Sequence, residues 1–375
     1  MVGPEPSWIA RPRVLILGAS GNVGHAAADR FLRDPSFDVT TVSRRRPDLR
    51  ARVGHEHLSV DIRDAHAVEA AVRTSGPISH VVYAALFEKP GLIAGWVDQD
   101  QIDTNRRMFT NVLEALRSAG APLRHVSVLQ GTKAYGYHLG RMRIPGKESQ
   151  TRVGHGNFYW EQEDFLRAAA PATGFTFTIF RPQFVFGGVL GVAMNLIPVI
   201  GIYAALCREL RRPFSFPGGA PFVAEAVDSR LLADALHWAA MAPNVADETF
   251  NITNGDVFEW RDLWGSFAQA LEVESGPDER LSLADWMPQQ GHVWESIVRR
   301  HRLRPYPLSE ILGLSHQYAD DAFAYTPDGS PLASRANPVL LSTVKLRRAG
   351  FGECIDTEEM FAYWFARLRA ERVLP

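Results

Sequence analysis

Residues 156–164 read GNFYWEQED, and the side chain in them that could do chemistry is Tyr159. A phenol at the start of a helix can hydrogen-bond a carbonyl oxygen while that oxygen gathers negative charge. Its free pKa of about 10 makes it a weak acid at neutral pH, so a reduction assisted by tyrosine wants a cation beside the ring. Four residues on, one helical turn away on the same face, is the natural place for that charge. Here that place holds Glu163. Either Tyr159 does no chemistry, or the cation arrives from elsewhere in the chain.

One source is the segment GTKAYGYHLG, residues 131–140, in which Lys133 follows an apolar run, Arg124 to Gln130, that reads as a strand. Side chains leaving the C-terminal edge of an open α/β sheet lie where such folds bind ligands. Sequence separation therefore does not keep Lys133 from Tyr159, although a lysine there, taken alone, is more simply a surface charge.

The elements that must position these residues are legible as an alternation. Arg13 to Gly18 reads as a strand, Val23 to Arg33 as a helix, Phe37 to Ser43 as a strand, and His80 to Leu86 as another. Asp103 to Ser118 is helical in pattern, Phe175 to Gly187 supplies a further strand, and Glu248 to Ile252 is the last candidate. Strands alternating with helices predict parallel pairing and right-handed crossovers, hence an α/β chain with a Rossmann-like, doubly wound parallel sheet. From about Gly188 the alternation fades into apolar, aromatic and proline-rich sequence. The expected division is a dinucleotide-binding domain over 11–187, with a returning segment around 222–258, and a smaller, mainly helical substrate lobe from 188–221 and 259–375.

The first turn, GASGNVG, spaces Gly18, Gly21 and Gly24 three residues apart, between a strand and a helix. Without side chains the backbone turns tightly and lets a pyrophosphate approach the helix N-terminus, whose free N–H groups and dipole favour an anion. Ser20, Asn22 and Val23 complete that turn. The second strand ends in Ser43, Arg44, Arg45 and Arg46 rather than in an acid, which predicts NADPH: a guanidinium fork suits the extra phosphate, and a carboxylate would repel it. Asp61 and Ile62 are expected at the adenine, as a polar contact and an apolar wall. Ala84 and Ala85 are small enough to let a dinucleotide lie close to the sheet. Asn105 reads equally as a helix-start residue or as a catalytic one.

Bulk properties exclude several classes. A chain of 375 residues with net charge −2 and 46% hydrophobic residues has no basic excess for nucleic acid and no disordered character. Cys207 and Cys354 have no metal-like or redox spacing, and His138, His155 and His292 have no helical metal spacing, so neither disulfide nor metal is expected. Glu161, Glu163 and Asp164 read as an acidic first helical turn. The N-terminal residues lack the apolar core of a signal peptide, which leads us to expect a cytoplasmic protein. The apolar stretch Gly187 to Leu206 approaches the ~20 residues of a membrane span. Interrupted by Asn195 and Pro198, it reads instead as a buried or pocket-covering helix.

LQGTKAYG, NFYWEQED, FRPQFVFG, MNLIPVIGIYAALCREL, ETFNITNGDVFEW and YWFARLRAERVLP together resemble the progesterone 5β-reductase and iridoid synthase family, an atypical branch of the extended short-chain dehydrogenases. The likeness runs from the glycine turn to the final residues. It implies that the lysine has moved from the tyrosine's helix to the segment of Lys133, so that Asn157, Phe158, Tyr159 and Glu163 fit the family's pattern. By the same likeness Gln130, Pro182 and Val185 contact the cofactor, and Phe158, Trp160, Phe184, Met194, Tyr203 and Trp294 form an apolar substrate wall. The implied activity is NADPH-dependent 1,4-reduction of an enone or enal, with Tyr159 and Lys133 stabilising the enolate. The partner is then a small apolar, carbonyl-conjugated molecule, and a homodimer is an allowed assembly. This chain departs from the family at Lys133-Ala134-Tyr135, Tyr159-Trp160 and Arg181-Pro182-Gln183, and in a shorter, more basic connection over 140–156. Two other readings share the fold: a conventional enzyme acting on a carbonyl or nucleotide sugar, which wants its lysine at 163, and a non-catalytic NADPH sensor or scaffold, which has no use for the Tyr159 and Lys133 pair.

Overall fold

The structure, a computed structural model, describes residues 11–50, 52–89, 92–332 and 338–375, without the side chains of 92–94. Residues 1–10, where targeting signals were sought, lie outside the described residues. In chain order the strands are β1 (Arg13–Leu17), β2 (Asp38–Ser43), β3 (His55–Ser59), β4 (Ile78–Tyr83), β5 (His125–Leu129) and β6 (Thr176–Pro182). The two-residue strands β7 (Val185–Phe186), β8 (Val223–Ala224) and β9 (Val227–Asp228) follow, and then β10 (Glu248–Ile252). Seven of them form one sheet in the order β10-β6-β5-β4-β1-β2-β3, every neighbouring pair parallel. The chain runs outward from β1 to β3 and then jumps back to β4 on the other side. That reversal opens a crevice at the C-terminal ends of β1 and β4, where ligands bind in such sheets.

Burial on both faces explains why the strands read as apolar runs rather than as alternating ones. Leu15 and Leu17 face the helices α2 (Ala65–Thr74), α3 (Gln99–Ser118) and α4 (Phe158–Thr173), whereas Val14 and Ile16 face α1 (Asn22–Arg33) and α6 (Ser229–Ala239). β3 is the exception. As the edge strand HEHLS it is half exposed, and Thr41 meets His55 and His57 at 3.1 Å each.

After β7 the chain builds a separate aromatic core in which Phe186, Tyr203, Trp260, Trp264 and Phe361 pack together. In the apolar stretch, helix α5 (Leu196–Glu209) starts at Leu196, after Asn195 has donated to the carbonyls of Gly187 and Val189 at 2.8 and 3.0 Å. Leu196 to Cys207 are all buried. Among the described residues no helix is long and apolar enough to cross a membrane.

Candidate active site

A cleft of about 490 Å³ opens at the topological reversal, within the usual range for a small-molecule site. Gly18, Ser20, Gly21, Asn22 and Val23 line one end of it. Gly18 has φ +78°, and a β-carbon there would lie 2.5 Å from the Ala84 carbonyl oxygen, so the turn requires glycine. Gly24 does not line the cleft: its β-carbon would overlap the Gly18 carbonyl, and its work is close packing of α1 on the turn. Gly21 caps α1 without any side-chain hydrogen bond, which leaves the first-turn N–H groups for an anion. These features fit a dinucleotide pyrophosphate.

Ser43, Arg44 and Arg45 line the same end, and the Ser43 hydroxyl donates to the Arg45 carbonyl at 2.6 Å, fixing the turn that presents the exposed guanidiniums of Arg44, Arg45 and Arg46. Asp61 and Ile62 line the cleft too, with the Asp61 carboxylate held in a fork by Arg63 at 3.0 Å. Ala84, Ala85, Gln130, Pro182 and Val185 complete that wall. Asn105 is not a helix-start residue: it lies inside α3, fully buried, and clamps Phe87 by accepting from its N–H and donating to its carbonyl, both at 2.9 Å. That leaves no free amide for catalysis.

Tyr159 and Lys133 converge on this cleft from separate segments. The side chain of Asn157 accepts from the Tyr159 N–H at 3.0 Å, so α4 begins at Phe158 and Tyr159 sits in its first turn. Lys133 belongs to a short 3₁₀ turn, Thr132–Tyr135, directly beyond β5. Its Nζ lies 5.8 Å from the centre of the Tyr159 ring and 4.7 Å from that of Trp96. Among the described residues no hydrogen bond engages the Tyr159 hydroxyl, which leaves it to the cleft. Burial and the charge of Glu88 push the phenol's pKa up, Arg181 opposing them. At neutral pH Tyr159 is therefore a hydrogen-bond donor that keeps its proton.

Glu163 is not a solvated acid of the first turn. Buried at 7% side-chain exposure, it pairs with Arg167 at 2.9 Å, Arg152 at 3.2 Å and Arg181 at 3.5 Å. Burial acts to raise its pKa, but hydrogen bonds from Arg167 and Gln130 and the charges of Arg181 and Arg152 hold it below the usual carboxylate value. Gln130 donates to Glu163 and to the Tyr159 carbonyl, both at 3.2 Å, and accepts from Arg181 at 2.8 Å. The acid that replaces a lysine thus fastens α4 to the ends of β5 and β6, and with it the tyrosine.

The model of the NAD dependent epimerase/dehydratase family matches residues 14–252. The (S)-8-oxocitronellyl enol synthase of Camptotheca acuminata is 30% identical, over 96% of this chain and 93% of that protein. The 3-oxo-Delta(4,5)-steroid 5-beta-reductase of Arabidopsis thaliana is 30% identical over 82% of each chain. The chain belongs to the epimerase/dehydratase family, in its progesterone 5β-reductase and iridoid synthase branch. UDP-glucose 4-epimerase from Thermotoga maritima shares the fold, with a TM-score of 0.68 at 15% identity, covering 96% of this chain and 99% of its own. The matched family is described as NAD dependent, and the glycine-lined end of the cleft has the features that suit a dinucleotide.

Of the residues expected at the substrate wall, Phe158, Phe184 and Met194 line the cleft. Three aromatic residues expected beside them do not. Trp160 packs with Phe158 and Tyr159 but does not reach the cleft, and Arg152 and Arg181 lie over its ring at 4.8 and 5.5 Å. Tyr203 is fully buried in the α5 core and donates to the Ser215 carbonyl at 3.2 Å. Trp294 is equally enclosed and donates to the Tyr306 carbonyl at 3.0 Å. The cleft is lined in addition by Trp96, Met108, Leu314 and Tyr318, together with one residue the sequence gave no reason to single out, Glu88. A side chain five positions beyond the end of β4 was the available signal, because that edge of the sheet faces the ligand. Among the described residues no His, Cys, Asp or Glu cluster could hold a metal ion.

Proposed function

We propose that this protein reduces the activated carbon–carbon double bond of an enone or enal with NADPH. The observation that carries the reading is the meeting of Lys133 and Tyr159 at one cleft with the glycine turn, while position 163 carries an acid committed to three arginines. A conventional carbonyl or nucleotide-sugar enzyme needs its cation at 163, and a mere sensor needs neither residue. The 30% identity to an 8-oxocitronellyl enol synthase and to a steroid 5-beta-reductase supports the same choice.

NADPH, which the glycine turn and the arginine rim would hold, would supply a hydride to the β-carbon of the substrate, a proton from solvent completing the α-carbon afterwards. Negative charge then collects on the carbonyl oxygen, and Tyr159 donates a hydrogen bond to it, a contact strongest in the transition state. Lys133 adds an ammonium whose field favours the same charge. Trp96, Phe158, Phe184 and Met194 exclude water and accept an apolar body. Arg44 and Arg45 favour NADPH over NADH through the 2′-phosphate. In this reading 11–187 with 222–258 binds the dinucleotide, and the remainder covers the substrate.

Incubating the purified protein with NADPH and a panel of cyclic enones, enals, simple ketones and nucleotide sugars tests the proposal. Absorbance loss confined to conjugated carbonyls is expected. Turnover of simple ketones or nucleotide sugars in their place would overturn it.

A further inference from the structure

Glu88 brings a charge into the cleft that the reduction described above leaves unused. Its side chain is only 6% exposed. Oε2 accepts from Gln101 Nε2 at 2.7 Å, while Oε1 has no hydrogen-bond partner and lies 4.0 Å from Lys133 Nζ. Both flanking residues are tied to α3. Asn105 clamps the backbone of Phe87, and Gln101 Oε1 accepts from the Lys89 N–H at 2.9 Å. Lys89 itself turns away to Asp98 and Asp100, at 2.8 and 2.9 Å. The loop is thus pinned on either side of a carboxylate aimed inward.

We propose that Glu88 is a positioning residue whose carboxylate keeps the Lys133 ammonium charged and in place beside the Tyr159 phenol. The consequence for turnover rests on the enone-reductase reading; the effect on Lys133 does not. Lys133 is enclosed by the rings of Trp96, Phe158 and Tyr159, and burial drives its pKa down, with Glu88 pulling it back up. An amine that lost its proton there could not stabilise an oxyanion. Burial keeps the Tyr159 phenol a donor, and the same carboxylate adds to that effect. What depends on Glu88 is therefore the charge of Lys133.

The other groups around the pair do not substitute for it. His138, beyond the Lys133 turn, is pushed down to about 4 by burial, by His155 and by Lys133, so it is neutral at physiological pH. Arg181 of β6 acts on Tyr159 in the opposite sense to Glu88. Glu163 of α4 is engaged by its own arginines. Burial raises the Glu88 carboxyl, Lys133 and Gln101 opposing it, so the pair stabilises both of its charges or neither.

The chain has only four lysines, Lys89, Lys133, Lys147 and Lys345, so carbon-13 labelling at the lysine ε-carbon gives an NMR spectrum simple enough to titrate one by one. The Lys133 signal is the one that Lys133→Met removes. In Glu88→Gln it is expected to titrate about one pH unit or more below its wild-type midpoint, with Glu88→Asp between them. The alkaline limb of kcat is expected to move to lower pH by the same interval. A loss of structure in Glu88→Gln would transfer the comparison to Glu88→Asp. An unchanged Lys133 midpoint in the folded variant overturns the proposal even where enones are reduced. A wild type that leaves enones untouched overturns the functional reading alone, because the lysine titration still decides Glu88.

Discussion

Gly131 and Tyr159 approach so closely that a β-carbon on the glycine would lie 3.1 Å from the phenol oxygen. The backbone of Gly131 is extended, with φ −176°, a conformation open to any residue. Gly131→Ala should therefore fold with a melting temperature near that of the wild type. The new methyl group pushes the hydroxyl it touches aside by a few tenths of an ångström, and because misplacing a reacting group by about 1 Å costs on the order of 10²-fold in rate, a shift of that size should cost several-fold. Steady-state kinetics beside a thermal melt checks this: turnover should fall roughly 2- to 10-fold while stability holds. Undiminished turnover would mean that the phenol's position is unimportant.

Tyr159→Phe removes the donor without altering the ring's packing between Phe158 and Lys133. Because the phenol acts mainly on charge that develops in the transition state, kcat should fall by about 10²- to 10³-fold, as for loss of one oxyanion donor. NADPH affinity, read by fluorescence titration, should stay within about twofold, since no ground-state contact of the dinucleotide is assigned to that oxygen. Equal losses in turnover and affinity would contradict the role.

The strand, glycine turn and first helix were legible because several constraints coincide there. Val14 to Leu17 are buried on both faces, and Gly18 and Gly24 sit where a β-carbon would strike backbone. Other parts were hidden for definite reasons. β3 is a polar edge strand, and His55 and Glu56 carry no apolar period. Tyr203 belongs to a helix buried all round, so residue type alone could not say which side faces substrate. Glu88 has no motif: what aims it is Asn105 and Gln101, more than ten residues later on α3, and contacts of that kind are set by the fold rather than by neighbours in sequence.

Arg44 stands exposed at the rim of the cleft, close enough to Asp61 for its charge to help lower that carboxyl's pKa. Arg44→Ala should weaken NADPH by about tenfold, roughly 1.4 kcal/mol, the scale of one charge-assisted contact to a phosphate. NADH lacks that phosphate, so its affinity should change little. Parallel titrations with both cofactors check the assignment; equal weakening of the two would refute it.

Restoring a lysine at the position four residues after Tyr159 should harm the protein rather than repair it. Glu163 answers Arg152, Arg167 and Arg181 from a buried site, so Glu163→Lys would set a fourth cation among three guanidiniums. Removing one partner of a buried ion pair typically costs about 3–5 kcal/mol, and reversing the charge should reach at least the lower end of that range. Glu163→Gln keeps the shape and loses the charge, so its deficit should be smaller and should depend on pH. The carboxyl is held below its usual 4.5, so its contribution is complete above that pH and is lost as the solution is acidified through the folded value. Urea unfolding of the wild type and Glu163→Gln should therefore differ most at neutral pH and begin to converge only below about pH 4.5, as the folded carboxyl takes up its proton. A Glu163→Lys protein as stable as the wild type would mean that the arginines around this acid are not what fastens the tyrosine's helix to the sheet.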